Sequence, residues 1–475
     1  MTPDEYLAHD AVGLAELVTR GEVAPHAPLE AAIALADARD PAINAVHLRL
    51  DAMARAAVRA GLPPGPLRGA PYLLKDVGAR LAGTPTRYGA RFMPETPAEG
   101  DSLVVARLKA AGLVIFGKTT TPELGLAAST ETTLTGDTRN PWDAARSAGG
   151  SSGGAAAAVA AGIVPAAHAS DGGGSIRIPA AHCGLFGLKP TRGRVSFAPD
   201  AGEGWGSLAC QHAVTRSVRD SAALLDAVAG PAPGDPYHPP HQEAPFAAAP
   251  GRDPGRLRIA LQLEPLSGVE VDPACRDAAL ETARLLESMG HEVEPARPPG
   301  DWEELGGALW VLVASSVAAA VRAAFEAKGR PPRREDMERV TWRAVEAGRG
   351  WRAEAYPAAL AAIHRQSRRM AAFHQRFDML LTPTTAAPAP ELGRQHMDRT
   401  EPAIYEATLL RMTAFTQHAN ITGQPAASLP LHRTAEGLPL GVMLTGRFGD
   451  ESGLLSLAAR LEEARPWGRL RPEPA

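Results

Sequence analysis

The chain has 475 residues, 45% of them hydrophobic and 21% charged, with 49 Lys+Arg against 53 Asp+Glu and a formal net charge of −4. This balance leaves no basic surplus for gripping a phosphate backbone and excludes nucleic acid as a main partner, while the apolar content suits a large core rather than a disordered chain. Three cysteines, Cys183, Cys210 and Cys275, contain no CxxC pair. They give neither a disulfide framework nor a zinc site, and suit a reducing cytoplasm.

In chain order, the part up to about residue 61 reads as helical, with Leu14, Leu17 and Val18 at i, i+3, i+4 and an Ala/Leu-rich run from Leu29 to Ala36. Its start lacks the basic flank and continuous apolar stretch of a signal peptide. Short apolar runs then alternate with helical patterns, which predicts an α/β architecture. Leu113–Phe116 and Ile163–Ala167 are expected as buried strands beside glycine or proline punctuation. Residues 231–255 hold eight prolines and predict a surface excursion without a packed helix or central strand.

Beyond it, 256–261 reads as a strand, and Asp272 followed by Pro273 as an N-cap with proline at the first helical position. Ala279, Ala283 and Leu286 supply that helix's inner face, with Gly290 as a stop. Gly306–Val321 is an uncharged stretch of 16 residues, shorter than the ~20 needed to cross a bilayer, and is expected as a buried helix. Phe377–Thr382 and Leu440–Thr445 read as strands, and Leu454, Leu457, Ala458 and Leu461 as the inner face of a last helix. Strand–helix units on both sides of the proline-rich segment predict one sheet in a single domain spanning 1–475. No segment suggests a membrane partner.

Two motif matches fail on physical grounds. Gly112 to Thr119 satisfies GxxxxGK[ST], but its middle residues are a bulky apolar strand instead of a loop of exposed N–H groups. Gly149 to Gly153 fits the GxSxG elbow of α/β-hydrolase esterases, but the stretch before it is polar and turn-rich where the elbow needs an apolar strand.

From Ala148 onward, two serine-bearing glycine loops stand at either end of a helix and a strand, so Ser151 and Ser175 can converge on one cleft. Gly172, Gly173 and Gly174 directly before Ser175 let successive N–H groups point at one spot, as a developing oxyanion requires. A bound phosphate is the rival occupant, without an adjacent lysine to support it.

This stretch resembles the amidase signature family, serine hydrolases using Ser, cis-Ser and Lys. The likeness is dense from Pro71 to Ser196, in PYLLKDVG, GLVIFGKTTTPELG, NPWD and GGGSIRIPAAHCGLFGLKPTRGRVS, and weaker in LLTPTT (380–385) and NITGQPAASLPL (420–431). It implies an α/β fold with a mixed central sheet covered by helices on both faces, the signature core lying in about 71–230.

Carried over, the resemblance makes Ser175 the nucleophile, Ser151 the serine after a cis peptide bond and Lys75 the base. Ser152 orients this set, Asp171 and Arg177 pair to hold the glycine loop, and the Gly125 carbonyl lines the acyl side. Lys75 by itself reads as a solvated lysine at a strand end; only the resemblance promotes it. As a base it must be buried and largely neutral, since the free group titrates near 10.4.

No metal or cofactor enters such a scheme. His168 and His182 are expected as strand-end and loop residues instead of triad members, and Cys183 as a buried small hydrophobe.

Ser170, Gly172, Ala148, Thr135 and Asp137 depart from the family's usual residues. With 125–138 expected as one cleft wall, they bear on substrate choice. The DGGGSIRIPA form is similar to that of hydrolases acting on nylon-type cyclic amides and suggests a small non-peptide amide as partner; aryl amides, ω-amino-acid amides, carbamates and small esters are expected alternatives, because the same acyl chemistry serves each. Segment 302–369 is expected to shape the acyl pocket through Leu309, Trp310 and Val313. A glutamine-dependent amidotransferase subunit, an α/β-hydrolase esterase and a catalytically dead binding module are the rival readings, and oligomeric state, a homodimer included, stays open.

Overall fold

The computed structural model describes residues 1–468, 471 and 472. Its frame is an 11-stranded mixed sheet. In chain order the strands are β1 (Val46–Arg49), β2 (Pro71–Lys75), β3 (Val114–Thr119), β4 (Ala166–Asp171), β5 (Phe186–Lys189), β6 (Cys210–Thr215), β7 (Arg258–Leu261), β8 (Glu292–Pro295), β9 (Met379–Pro383), β10 (Ala426–Arg433) and β11 (Pro439–Gly446). They lie side by side as β1-β3-β2-β4-β6-β5-β10-β11-β9-β7-β8. Strands before and after the proline-rich segment meet where β5 pairs antiparallel with β10.

Side chains alternate across a strand, and β2 shows both faces in use. Tyr72 and Leu74 enter one apolar cluster with the helices Val218–Val228 and Glu451–Ala464, and Leu73 enters another with the helix Gly153–Ala160 (α1). Helices thus cover both faces. By the same parity Lys75, ending β2, falls on the α1 face.

Several boundaries differ from expectation. The strand expected at Ile163–Ala167 is β4, which begins at Ala166, because Pro165 has no N–H for the ladder; Ile163 and Val164 are buried in the preceding turn. β3 runs on past Phe116 through Lys118, whose buried ammonium donates to Thr86 Oγ1 at 2.8 Å and lies 3.4 Å from Asp76. Gly112–Thr119 is therefore mostly a buried strand. The N-terminal part is not all helix: β1 joins the sheet edge antiparallel to β3. In the proline-rich segment a 3₁₀ turn, Phe246–Gly251, buries Phe246 and Ala249 in the core.

Other expectations hold. Asp272 caps the helix Pro273–Ser288 (α2) by accepting from Ala274 N at 2.9 Å, and Ala279, Ala283 and Leu286 are buried.

Four helices form a further layer beside the site: α3 (Trp302–Glu326), α4 (Arg339–Gly350), α5 (Ala355–Arg376) and α6 (Pro402–Thr413). The helix expected at Gly306–Val321 is α3, 25 residues long and, by length and composition alone, apolar enough to cross a membrane. It is buried along one side only: Leu305, Leu312, Val317 and Val321 pack with Val345 of α4 and Ile363 of α5.

Candidate active site

β2 and β4 run parallel side by side, and the site forms beyond their C-terminal ends, where such sheets place ligands. Lys75 ends β2, Asp171 ends β4, and Ser151 stands just before α1, after a cis Gly150–Ser151 peptide. Lys75 is fully buried, and its Nζ donates to Ser151 Oγ at 2.7 Å and to Ser170 Oγ at 3.0 Å. Burial lowers its ammonium to about 7, against the opposing pull of the Asp171 carboxylate. Ser170, where threonine is usual, still gives Lys75 a hydroxyl.

Ser175 is half-buried, lines a cavity of about 390 Å³, and accepts from Ser152 N at 3.3 Å through its carbonyl. Ser152 Oγ bonds the Ser170 backbone, accepting from its N–H at 3.3 Å and donating to its carbonyl at 3.2 Å. Gly125 stands against Ser151: a Cβ there would lie 3.2 Å from Ser151 Oγ.

The glycine loop is held from inside. Asp171 and Arg177, both fully buried, form a two-pronged pair with Nε–Oδ2 and Nη2–Oδ1 at 2.9 Å each. Burial alone would raise the Asp171 carboxyl, but the Arg177 charge and hydrogen bonds outweigh it and hold the group well below the usual carboxylate range. Asp171 also accepts from Gly174 N at 2.7 Å and Ile176 N at 3.1 Å. This corrects the expectation for Gly174: its N–H serves the carboxylate rather than the cavity. Its φ of 134° and the 2.4 Å from a would-be Cβ to Thr416 Oγ1 explain why glycine is needed. Gly172 and Gly173 do line the cavity with Ser175.

Other supports come from distant sequence. Helix α7 (Thr416–Thr422) grips the loop: Thr416 Oγ1 donates to Gly173 O at 2.7 Å, and Asn420 Nδ2 donates to Asp171 Oδ1 at 2.9 Å while Asn420 Oδ1 accepts from Arg177 at 2.6 Å. Asn420 lies in the NITGQP match, the one hint the sequence offered of it. Trp205 was not foreseen: a Cβ on Gly172 would stand 2.6 Å from its ring, and the ring lines the cavity.

The cavity wall includes Leu309, Trp310 and Val313 of α3, as expected, together with Val340 of α4 and Leu409 of α6. Of the wall expected at 125–138, only Gly125 to Ala128 line the cavity. Glu131–Thr132 and Gly136–Asp137 instead form a small hairpin, and Asp137 pairs with Arg399.

His168 sits inside β4 opposite Ala213, and His182 in helix Arg177–Cys183, which corrects their expected strand-end and loop positions. Burial pushes both imidazoles down to about 3, with the Lys75 charge adding to the effect at His168. The Cys183 thiol is buried, raised by that burial, and donates to Ala148 O at 3.4 Å.

The family described as Amidase matches residues 27–455. The chain belongs to the amidase signature family. This hydrolase is 38% identical to the 6-aminohexanoate-cyclic-dimer hydrolase of Pseudomonas sp. strain NK87 over 98% of this chain and 97% of that enzyme. It is also 38% identical to the enzyme of the same name from Paenarthrobacter ureafaciens, over 98% and 97%. A solved structure of a 6-aminohexanoate cyclic dimer hydrolase superimposes with a TM-score of 0.92 at 37% identity, covering 98% of this amidase and 99% of that chain. The amidase signature assignment replaces the α/β-hydrolase reading of Gly149–Gly153, whose upstream strand, Asp143–Ser147, lies outside the main sheet.

Proposed function

We propose that this amidase hydrolyses small linear or cyclic amides of medium-length, largely apolar chains through an acyl-enzyme on Ser175. The observation that carries the reading is the buried Lys75–Ser151 hydrogen bond of 2.7 Å beside the cavity that Ser175 lines. A hydroxyl becomes nucleophilic only when a base takes its proton. A lysine titrating near 7 is neutral in about half the molecules at that pH and can be that base.

Ser175 Oγ gives its proton to Ser151 Oγ, which passes its own to Lys75 Nζ, and Ser175 Oγ bonds the substrate carbonyl carbon. The oxyanion is held by the N–H groups of Gly172, Gly173 and Ser175, Gly174 being committed to Asp171. As the C–N bond breaks, the Lys75 proton returns through Ser151 to the departing nitrogen; water then repeats the cycle on the ester. Carbamates and small esters present the same carbonyl and enter the same scheme.

The apolar wall and the similarity to enzymes named for the 6-aminohexanoate cyclic dimer support an aliphatic amide as substrate.

The test is hydrolysis of anilides, carbamates, lactam oligomers and nitrophenyl esters by the wild type, Ser175→Ala, Ser151→Ala and Lys75→Ala. Loss in all three variants, with a fluorophosphonate adduct mapped to Ser175 in the wild type, is expected. Full turnover by Ser175→Ala overturns the scheme.

A further inference from the structure

We propose that Arg339 is a carboxylate anchor in the substrate cavity, making this enzyme selective for amides whose cavity-filling segment ends in a carboxylate. The inference rests on amide hydrolysis at this same cavity and names its substrate class more narrowly.

The cavity is walled mainly by apolar side chains, yet α4 brings Arg339 and Arg343 into its lining one helical turn apart, and α6 brings Glu406. Arg343 and Glu406 are exposed and paired with each other. Arg339 is half-buried, and among the described residues no carboxylate lies within ion-pair distance of its guanidinium. Its side chain gives one Nη2 hydrogen bond to Thr400 O. Asp398, the nearby acid, accepts from the Arg339 backbone N–H at 3.0 Å and pairs its side chain with Arg334 at 2.7 Å.

A guanidinium carries five N–H donors in a planar fork, so most of this one's capacity is open to a ligand. Of the three charged groups in the lining, two cancel, leaving one net positive charge. The complementary ligand is anionic, planar and bidentate at one end and apolar along its length. A medium-chain amide with a terminal carboxylate, such as an ω-amino-acid oligomer or a dicarboxylic monoamide, has that form.

The experiment uses two matched substrate pairs: adipic mono-4-nitroanilide against hexanoic 4-nitroanilide, and N-hexanoyl-6-aminohexanoate against N-hexanoyl-hexylamine. The first pair puts the carboxylate on the acyl side, the second on the leaving side. In at least one pair the wild type is expected to favour the carboxylate substrate, through KM. Arg339→Gln is expected to cut that kcat/KM ratio by about tenfold or more, as loss of a charge-assisted hydrogen bond implies. Arg339→Lys should restore part of it, and added salt should erode it in the wild type. Equal ratios in wild type, Arg339→Gln and Arg339→Lys for both pairs overturn the anchor.

Calorimetric binding of the same four amides to Ser175→Ala repeats the comparison without turnover. Arg339-dependent binding with no hydrolysis by the wild type leaves the anchor standing and removes the proposed chemistry; hydrolysis with unchanged ratios does the reverse.

Discussion

Lys75 Nζ lies 2.7 Å from Ser151 Oγ with the lysine side chain wholly out of water. A charged ammonium is disfavoured there by burial and supported by the Asp171 charge, and burial has the larger effect. The wild-type kcat/KM is therefore expected to climb as pH rises through about 7 and to level off above it, because the neutral amine is the active form. A flat profile from pH 5 to 9 would remove Lys75 from the base role.

The same shift predicts a stability effect. Unfolded, Lys75 titrates near 10.4; folded, it titrates lower. Between the two values the unfolded chain holds more protons, so this group's contribution to stability improves as pH rises, and its cost is greatest below the folded value. Lys75→Met should raise the Tm relative to wild type most at pH 6, less at pH 9, while lowering turnover by roughly 10²–10⁴-fold. Paired thermal melts at the two pH values check the sign.

Asp171→Asn leaves Arg177 buried without its counter-charge and takes away one of the two oxygens that accept from the Gly174 and Ile176 N–H groups. Urea unfolding should show a loss of about 3–5 kcal/mol, the scale for breaking a buried pair from one side. Loss below 1 kcal/mol would mean the loop keeps its shape without the pair.

Gly172→Ala drives a methyl into the Trp205 ring, where the approach is 2.6 Å. Activity should fall with the single substitution and recover in part in Gly172→Ala/Trp205→Ala, a coupling read from a double-mutant cycle. Additive losses would show that the two residues act apart.

Trp310→Ala enlarges the cavity on the α3 side. Across aliphatic anilides of increasing length, the preferred chain should lengthen while the rate on the smallest acetanilide changes less. Identical length preference in wild type and variant would take Trp310 out of substrate selection.

Ser151, Ser175, Asp171 and Arg177 were legible as candidates in one contiguous stretch, because a glycine loop and a helix start each leave a local residue pattern. Lys75 was not: its local pattern reads as a solvated strand-end lysine, only the family resemblance singled it out, and packing is what buries it. Strands and helices with strong periodicity, such as Pro273–Ser288 with its Asp272 cap, were legible for the same reason. Strand ends were less so: Lys118 continues β3 because a tertiary partner, Asp76, lets a lysine be buried there.

What surrounds the serines comes from packing between distant parts of the chain. The grip of Thr416 and Asn420 on the glycine loop spans more than two hundred residues of chain, and no local pattern encodes which side chain will face which loop. The same holds for the commitment of the Gly174 N–H, for Trp205 against Gly172 and for Arg339 in the cavity lining. Residue type fixes what a group can do, whereas distance and desolvation, which only packing sets, fix whether it is a base, a donor or an anchor.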